Sequence, residues 1–380
     1  MNSLNNSAAS LNTDSVETVI VDLGDRRYPI EVGSGLIDSF GAYYTSRGLP
    51  SSAVVITDSN VAPLYGSRVV RSLKRAGCAV HTIIIPPGEK EKSFSRAEAV
   101  FADLLTHRIE RNAAIVAVGG GVIGDLAGFI AATYQRGVRF VQVPTTLLAQ
   151  VDSSVGGKVA INHRLGKNMV GAFYQPDFVL ADVDTLATLP KREVVCGLGE
   201  VIKYGIIMNA AFYADVAVRQ GDILACRTDV MKRVVAECCR MKAEVVEEDE
   251  REQGRRAILN FGHTIGHALE HAGHFSKLKH GEGVILGMLA EARIAVSLGM
   301  LSQSEFDTIE KDVADIPMPR LASLPLEFDA LYETMRIDKK SKDGAVRLVL
   351  PEAIGSVRLP QSVDKKLLRQ GVAYLKKRLR

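Results

Sequence analysis

Five of the chain's eight histidines fall in one stretch, 260–284, which reads NFGHTIGHALEHAGHFSKLKHGEGV. They are His263, His267, His271, His274 and His280. Imidazole is the commonest protein ligand for zinc-like metals, and a cluster of five points to a metal centre. On a helix, His263 and His267 stand four residues apart and face the same way, as do His271 and His274 at a spacing of three. Spacing alone selects His263 and His267 as ligands, with His271 and His274 read as hydrogen-bonded or solvated side chains. Thr-Ile-Gly separates the first pair, so there is no HExxH and no built-in glutamate base of the zinc-protease kind. His280 lies beyond Gly273, in a predicted loop before the next helix.

A second chemical signal is AAIVAVGGGVIGDLAGFIAA (113–132), a strand, a glycine turn and a helix. Gly119, Gly121 and Gly124 fit G-x-G-x-x-G. Glycine lets backbone N–H groups approach a pyrophosphate, and the helix N-terminus adds partial positive charge. The same residues could make a plain tight turn; the flanking strand and helix favour phosphate binding. No carboxylate follows about twenty residues later, where the chain reads VQVPTTLL. The best ribose-binding candidate is earlier, at Asp58 in TDSN (57–60), which implies a different strand order. SSVGGKVA (153–160) is not a phosphate-binding P-loop, because Val159 stands where a Ser or Thr would hold magnesium.

Between these signals, 145–171 sets Asp152, Lys158, Lys167 and Asn168 among small residues. Lysines there could grip a phosphate or carboxylate, or the segment could be a solvated loop. Glu200 and Lys203 in GEVIKYG share a helical face at a spacing of three and, taken alone, read as a surface ion pair.

These residues need elements to hold them. Short apolar runs at 53–57, 78–85, 113–118, 138–143 and 178–182 alternate with helical patterns at 61–77 and 93–107. That rhythm predicts a parallel sheet covered on both faces. Residues 16–32 read as two strands joined by a turn at Gly24-Asp25. After about Leu189, helical patterns take over at 191–208, 211–249, 263–273, 282–298, 303–314 and 363–379, with a short strand pair near 345–350. The expected organisation is an α/β, Rossmann-like dinucleotide-binding domain (16–190) and a mostly α-helical metal- and substrate-binding domain (191–380).

Length and composition fit two ordinary globular domains: 380 residues, 47% hydrophobic and 24% charged. A net charge of +3, with both signs interspersed, argues against a nucleic-acid binder. The five cysteines form no CxxC pair and suit a reducing cytoplasm. Residues 1–15 read as a disordered tail without a signal-peptide core. No apolar run reaches the roughly 18 residues of a membrane span.

Seven segments together carry a resemblance. They are GGGVIGD, YQRGVRFVQVPTTLLAQVDSSVGGK, LGKNMVGAFYQP, GEVIKYG, LNFGHTIGHALE, HGEGV and MRIDKK. In this order they resemble the 3-dehydroquinate synthase family of sugar-phosphate cyclases, from about Val16 to the C-terminal helix. The resemblance implies NAD and a divalent metal, zinc first and cobalt as the alternative, between the two domains. It places the metal on Glu200, His263 and His280, and turns His267 into a substrate-phosphate contact. It assigns NAD to Asp58, Glu89, Lys92, Gly120, Gly121, Val122, Asp125, Thr145, Thr146, Leu148, Lys158, Lys167 and Thr188. It assigns substrate to Asp152, Lys158, Asn168, Lys203, Lys242, Arg256, Asn260, His267 and one of Lys339 and Lys340. Arg136 in YQRG would be lent across a homodimer interface.

The implied reaction converts 3-deoxy-D-arabino-heptulosonate 7-phosphate to 3-dehydroquinate and phosphate. NAD oxidises C5 transiently, phosphate leaves with its own oxygens as the base, the hydride returns, and ring opening and an intramolecular aldol step follow. Arg256 is the candidate for the substrate carboxylate. Two residues depart from the family's usual pattern: Val159, where threonine follows GGK, and Gly199, where alanine is common. Other readings are a sister cyclase on a different sugar phosphate, a metal-dependent NAD polyol dehydrogenase, and a catalytically silent binding protein.

Overall fold

The computed structural model describes residues 16–273, 277–319, 324–337 and 345–379. His274, Lys339, Lys340 and the predicted N-terminal tail lie outside them. The strands are β1 (Glu17–Val21), β2 (Tyr28–Gly33), β3 (Ser52–Asp58), β4 (Ala79–Ile85), β5 (Ala114–Gly119), β6 (Arg139–Pro144), β7 (Lys158–His163), β8 (Gly166–Phe173), β9 (Phe178–Asp182), β10 (Arg347–Ala353) and β11 (Ser356–Ser362). The first helices are α1 (Phe40–Ser46), α2 (Ser67–Arg75), α3 (Phe94–Thr106) and α4 (Gly121–Thr133). Those of the second half are α5 (Lys191–Met208), α6 (Ala210–Val218), α7 (Gln220–Leu224), α8 (Thr228–Glu248), α9 (His263–Ala272), α10 (His280–Ser297), α11 (Gln303–Ala314), α12 (Phe328–Ile337) and α13 (Lys365–Arg378).

One seven-stranded sheet runs β1-β2-β9-β6-β5-β3-β4. The β1–β2 pair is antiparallel and the other pairings are parallel. Its central strands are unbroken apolar runs because both faces are covered. The two-residue period of a strand divides each run between the faces. Val55, Val116 and Val141 pack with Phe40, Tyr44, Val69 and Leu73 of α1 and α2. Val54, Ile56 and Ile115 pack with Val100, Leu104, Leu126 and Ile130 of α3 and α4. Each such aliphatic side chain adds roughly 1.5–3 kcal/mol by leaving water.

From β3 the chain steps outward to β4, then returns to the other side of β3 as β5. The strand order therefore reverses between β3 and β5, and the crevice beyond their C-terminal ends is where such sheets bind nucleotides. Asp58 ends one of these strands and Gly119 the other. A third and larger cluster joins Val21, Ile30 and Val179 of the sheet to Leu198, Val235 and Leu289 on α5, α8 and α10. It crosses residue 190.

Three sequence expectations need correction. The helix predicted over 211–249 is broken into α6, α7 and α8; Cys226 adopts φ 52°, which ends helical continuity before α8. The polar stretch around 158–173 is a β-hairpin, β7–β8, not a loop. His280 is the first residue of α10, not a loop residue. Helix α12 was not anticipated from the sequence.

Candidate active site

Glu200 sits in the middle of α5, whose residues Val194–Ile207 are all buried. It and Lys203 are 0% and 1% exposed, so the reading as a surface ion pair is wrong. The two side chains make a close ion pair one helical turn apart. Among the described residues, neither Glu200 oxygen has an aligned hydrogen-bond donor. Such a buried carboxylate calls for a further positive charge. Two imidazoles face it: His280 Nε2 at 3.5 Å and His263 Nε2 at 3.7 Å from Oε1.

Both rings are held from behind. His280 Nδ1 is 3.0 Å from Glu270 Oε1, and His263 Nδ1 is 3.2 Å from the Phe261 carbonyl. With the proton on Nδ1 in each ring, both Nε2 lone pairs are left toward Glu200, the arrangement by which outer partners orient metal-bound histidine. His267, one turn along α9, completes a trio with His263 and His280 whose ligand atoms lie within 4.8 Å of one another. Burial opposes ionisation of Glu200, but Lys203 and His280 outweigh it and hold the carboxyl below its ordinary value. Burial would likewise lower His280; the negative charges of Glu200 and Glu270 beside it raise it instead, to about 10. The donor set of one orphaned carboxylate and oriented imidazoles fits a divalent cation.

The close approach of α10 to α5 places His280. A Cβ on Gly281 would lie 1.8 Å from the Cys196 carbonyl oxygen, and one on Gly199 would lie 2.5 Å from the Gly281 oxygen. Gly199 is thus required here by backbone contact, which accounts for its departure from alanine. Glu282 locks the helix start. It accepts from the Lys279 backbone N–H at 2.7 Å and from Arg192 Nε at 2.6 Å.

Next to Glu200 is a lysine-rich wall. Gln150 is fully buried, and its Nε2 reaches Pro144 O, Asp182 O and Thr185 Oγ1, fixing the turn Ala149–Ser153. That turn presents Asp152, which accepts from Lys242 Nζ at 2.6 Å and from the Tyr204 hydroxyl at 3.1 Å. Burial alone would raise the Asp152 carboxyl; Lys242 and Lys203 hold it well below the carboxylate range. Burial pushes the ammonium groups of Lys242 and Lys158 down, with their carboxylate partners opposing. Lys158 pairs with Glu252, which also accepts from Asn260 Nδ2 at 2.7 Å. Arg256 is 1% exposed; it gives Nη1 to Glu250 O and Nη2 to Gly156 O, while its Nε has no partner among the described residues.

The hairpin β7–β8 joins this wall to the nucleotide crevice. Lys158 begins it, and Asn168, at φ 55°, is held through its N–H by Asn162 Oδ1 at 2.9 Å. Asn162 also donates to Glu89 at 2.7 Å, and its N–H reaches the Lys92 carbonyl. Lys92, 4% exposed, pairs with Asp125 on α4. Lys167, near the hairpin tip, lies close enough to Glu270 to act on its charge.

In the crevice, Asp58 Oδ1 accepts from the N–H groups of Asn60 and Val61. Gly120, Gly121 and Val122 open α4, and a Cβ on Gly120 would lie 2.9 Å from Thr146 Cγ2. Thr145 N–H bonds to Gly119 O at 2.9 Å, and Leu148 precedes the Asp152 turn. The Thr188 hydroxyl meets the Tyr65 hydroxyl at 2.8 Å. Val159 is a core residue whose methyl fills the space left by Gly128 on α4, so its departure from threonine is absorbed by packing.

Arg136 is not brought to this site. It is exposed, follows the far end of α4 and precedes the N-terminal end of β6, about 20 Å along the helix from the glycine turn. Sequence reasoning missed Glu270, Glu252, Tyr204, Gln150 and Asn162. Glu270 was findable, being seven residues after His263 and on the same helical face; the others are joined to the site only by the fold.

Two family models cover most of the chain: 3-dehydroquinate synthase N-terminal on residues 82–196 and 3-dehydroquinate synthase C-terminal on 197–341. The 3-dehydroquinate synthase of Desulforamulus reducens is 47% identical over 348 residues, 92% of this chain and 97% of its own. A 2-deoxy-scyllo-inosose synthase crystal structure, in complex with carbaglucose-6-phosphate, NAD+ and Co2+, superposes with a TM-score of 0.86 at 26% identity over 94% and 99% of the two chains. The 2-epi-5-epi-valiolone synthase of Streptomyces hygroscopicus, with NAD+ and Zn2+ bound, gives 0.85 at 24% over the same shares and supports the fold. With both halves matched and 47% of 348 aligned positions identical to a curated relative, the chain belongs to the 3-dehydroquinate synthase family.

Proposed function

We propose that Glu200, His263 and His280 hold one divalent cation, zinc or alternatively cobalt, and that NAD lies across the turn Gly119–Gly121 between the 16–190 and 191–380 halves. The chain is a phosphate-eliminating lyase, a 3-dehydroquinate synthase of aromatic amino acid biosynthesis, and its substrate is 3-deoxy-D-arabino-heptulosonate 7-phosphate. The observation that carries the metal assignment is Glu200: fully buried, lacking an aligned donor on either oxygen among the described residues, and faced by two oriented imidazoles. When bound, the cation supplies Lewis acidity at a sugar oxygen and NAD a reversible hydride acceptor.

The residues divide the remaining work. Asp58 accepts from ribose, while Glu89, Lys92 and Asp125 fix the hairpin beside the nucleotide. Thr145, Thr146, Leu148, Lys167 and Thr188 border the same ligand. Lys158, Asn168 and His267 grip the substrate phosphate, and Arg136 of the partner subunit completes the grip in a homodimer. The leaving phosphate takes the proton from the adjacent carbon, so positioning replaces a dedicated base. Asp152, Lys203 and Lys242 hold the ring hydroxyls and pass protons among themselves. Arg256, its Nε still available, meets the carboxylate with Asn260 beside it. Lys339 or Lys340 adds a contact from outside the described residues. Among those described, no helix is long and apolar enough to cross a membrane, and we place the enzyme in the cytoplasm.

The test is turnover of the heptulosonate phosphate. One phosphate should appear per 3-dehydroquinate with no build-up of NADH, and Glu200→Ala should lose the cation held with His263 and His280 together with turnover. Steady NADH production, or oxidation of glycerol in place of phosphate release, would instead mark a polyol dehydrogenase.

A further inference from the structure

Among the described residues a second trio of ligand-bearing side chains converges within 4.8 Å, far from Glu200: His81, Asp103 and His107. We propose that these three form a second divalent-metal site, for Zn2+ or a similar imidazole-seeking ion, on the outer edge of the sheet.

The elements that build it are simple. β4 is the last strand of the sheet, and its alternate residues His81, Ile83 and Ile85 share one face; the two isoleucines pack in the cluster that contains Val100 and Leu104 of α3. His81 stands at the start of that row. Asp103 and His107 are one turn apart at the C-terminal end of α3, so both lean over the same spot. Asp103 Oδ1 lies 2.6 Å from His81 Nε2 and 3.3 Å from His107 Nδ1. The two rings are 4.2 Å apart between centroids, tilted by 35°.

A single cation would take a lone pair from each ring and one carboxylate oxygen, the donor types an imidazole-seeking ion prefers. Bonds of roughly 2.0–2.2 Å place ligand atoms of one tetrahedral shell about 3.3 Å apart, and Asp103 already stands 2.6 Å from one imidazole and 3.3 Å from the other. The pair Asp103 and His107 also stands at the C-terminal end of α3, where the helix dipole is negative. His81 is 23% exposed at its side chain and His107 50%, so an ion can enter, and water completes its coordination. The site lies four residues before the C-terminal end of β4, about 13 Å from the nucleotide crevice along the strand. Its role is to clamp the edge strand to α3, closing a sheet edge that is otherwise held on one side only.

Calorimetric titration of chelator-stripped protein with Zn2+ tests this. Wild type should take two equivalents per chain. His81→Ala, His107→Ala and Asp103→Asn should each take one and keep normal turnover. Glu200→Ala should keep one equivalent, and adding His107→Ala to it should abolish binding. His107 is half exposed, so its variant keeps the test valid if His81→Ala misfolds. A single equivalent in wild type, or a second equivalent that survives both His107→Ala and Asp103→Asn, overturns the proposal.

Discussion

Replacing Gly281 by alanine should detach His280 from Glu200 without touching either residue. The new Cβ would stand 1.8 Å from Cys196 O, 2.6 Å from its carbonyl carbon and 2.9 Å from its Cα. All three are main-chain atoms of α5, so no side chain can swing away. Real Cβ contacts stay above 3.0 Å, and the two helices must therefore part by about 1.2 Å, an overpacking strain of roughly 1–3 kcal/mol. His280 is the residue next door. Its Nε2, now 3.5 Å from Glu200 Oε1, would retreat to nearly 5 Å, whereas two ligands on one zinc ion can be separated by at most about 4.3 Å. One ligand of three is then lost or bound under strain, and metal affinity should fall by one to two orders of magnitude, the effect of a misoriented ligand. The assay is competition with a chromophoric chelator, run beside thermal unfolding of the metal-free protein. Unchanged affinity together with an unchanged melting temperature would refute the argument that this contact seats His280. Lowered stability with unchanged affinity would refute the choice of His280 as a ligand.

Gly120→Ala brings a Cβ to 2.9 Å from Thr146 Cγ2, a side chain that can rotate. The variant should fold but hold NAD at least about tenfold more weakly, because the methyl stands where the pyrophosphate approaches; an unchanged Kd by calorimetry would contradict the nucleotide assignment. The depressed Asp152 carboxyl stabilises the fold fully above its unfolded value near 3.9, and that contribution is lost as pH falls toward its lower folded value. The stability gap between wild type and Asp152→Asn in urea titrations should therefore be widest near neutrality and shrink below about pH 4, and a gap constant from pH 6 to 3 would sink this account. Arg136→Ala and Lys158→Ala should each be inactive, yet mixing them under subunit exchange should restore about a quarter of wild-type turnover. Half the dimers would be mixed and each would carry one whole site. No recovery would place Arg136 outside the partner's site.

Much of the fold could be read from local pattern. Four of the five apolar runs became β3, β5, β6 and β9 because burial on both faces demands continuous hydrophobic residues; the fifth became β4, the half-exposed edge strand. Helix α5 was bounded at 191–208, as it is in the structure, since Pro190 opens it. The hairpin β7–β8 was hidden: its residues are mostly small or polar, and β8 alternates too weakly to reveal a strand. Glu200 and Lys203 were misread for the converse reason. A spacing of three gives a shared face but not what covers it, and here the cover is α10, some eighty residues later. Glu252 and Asn162 reach the site through the 249–256 loop and the hairpin, and no sequence period marks either.

The large apolar cluster that crosses residue 190 bears on how the polypeptide is made. The β1–β2 pair is held by α8 and the turn after it: Asp22 N–H donates to Glu247 Oε1 at 2.7 Å, Arg26 pairs with Glu250, and Arg240 with Glu17. On the ribosome these first strands must wait until more than two hundred further residues have emerged, with Val19, Val21 and Tyr28 lacking their final cover in the meantime. A fragment ending at 190 would expose that apolar face, and it should aggregate or recruit chaperones.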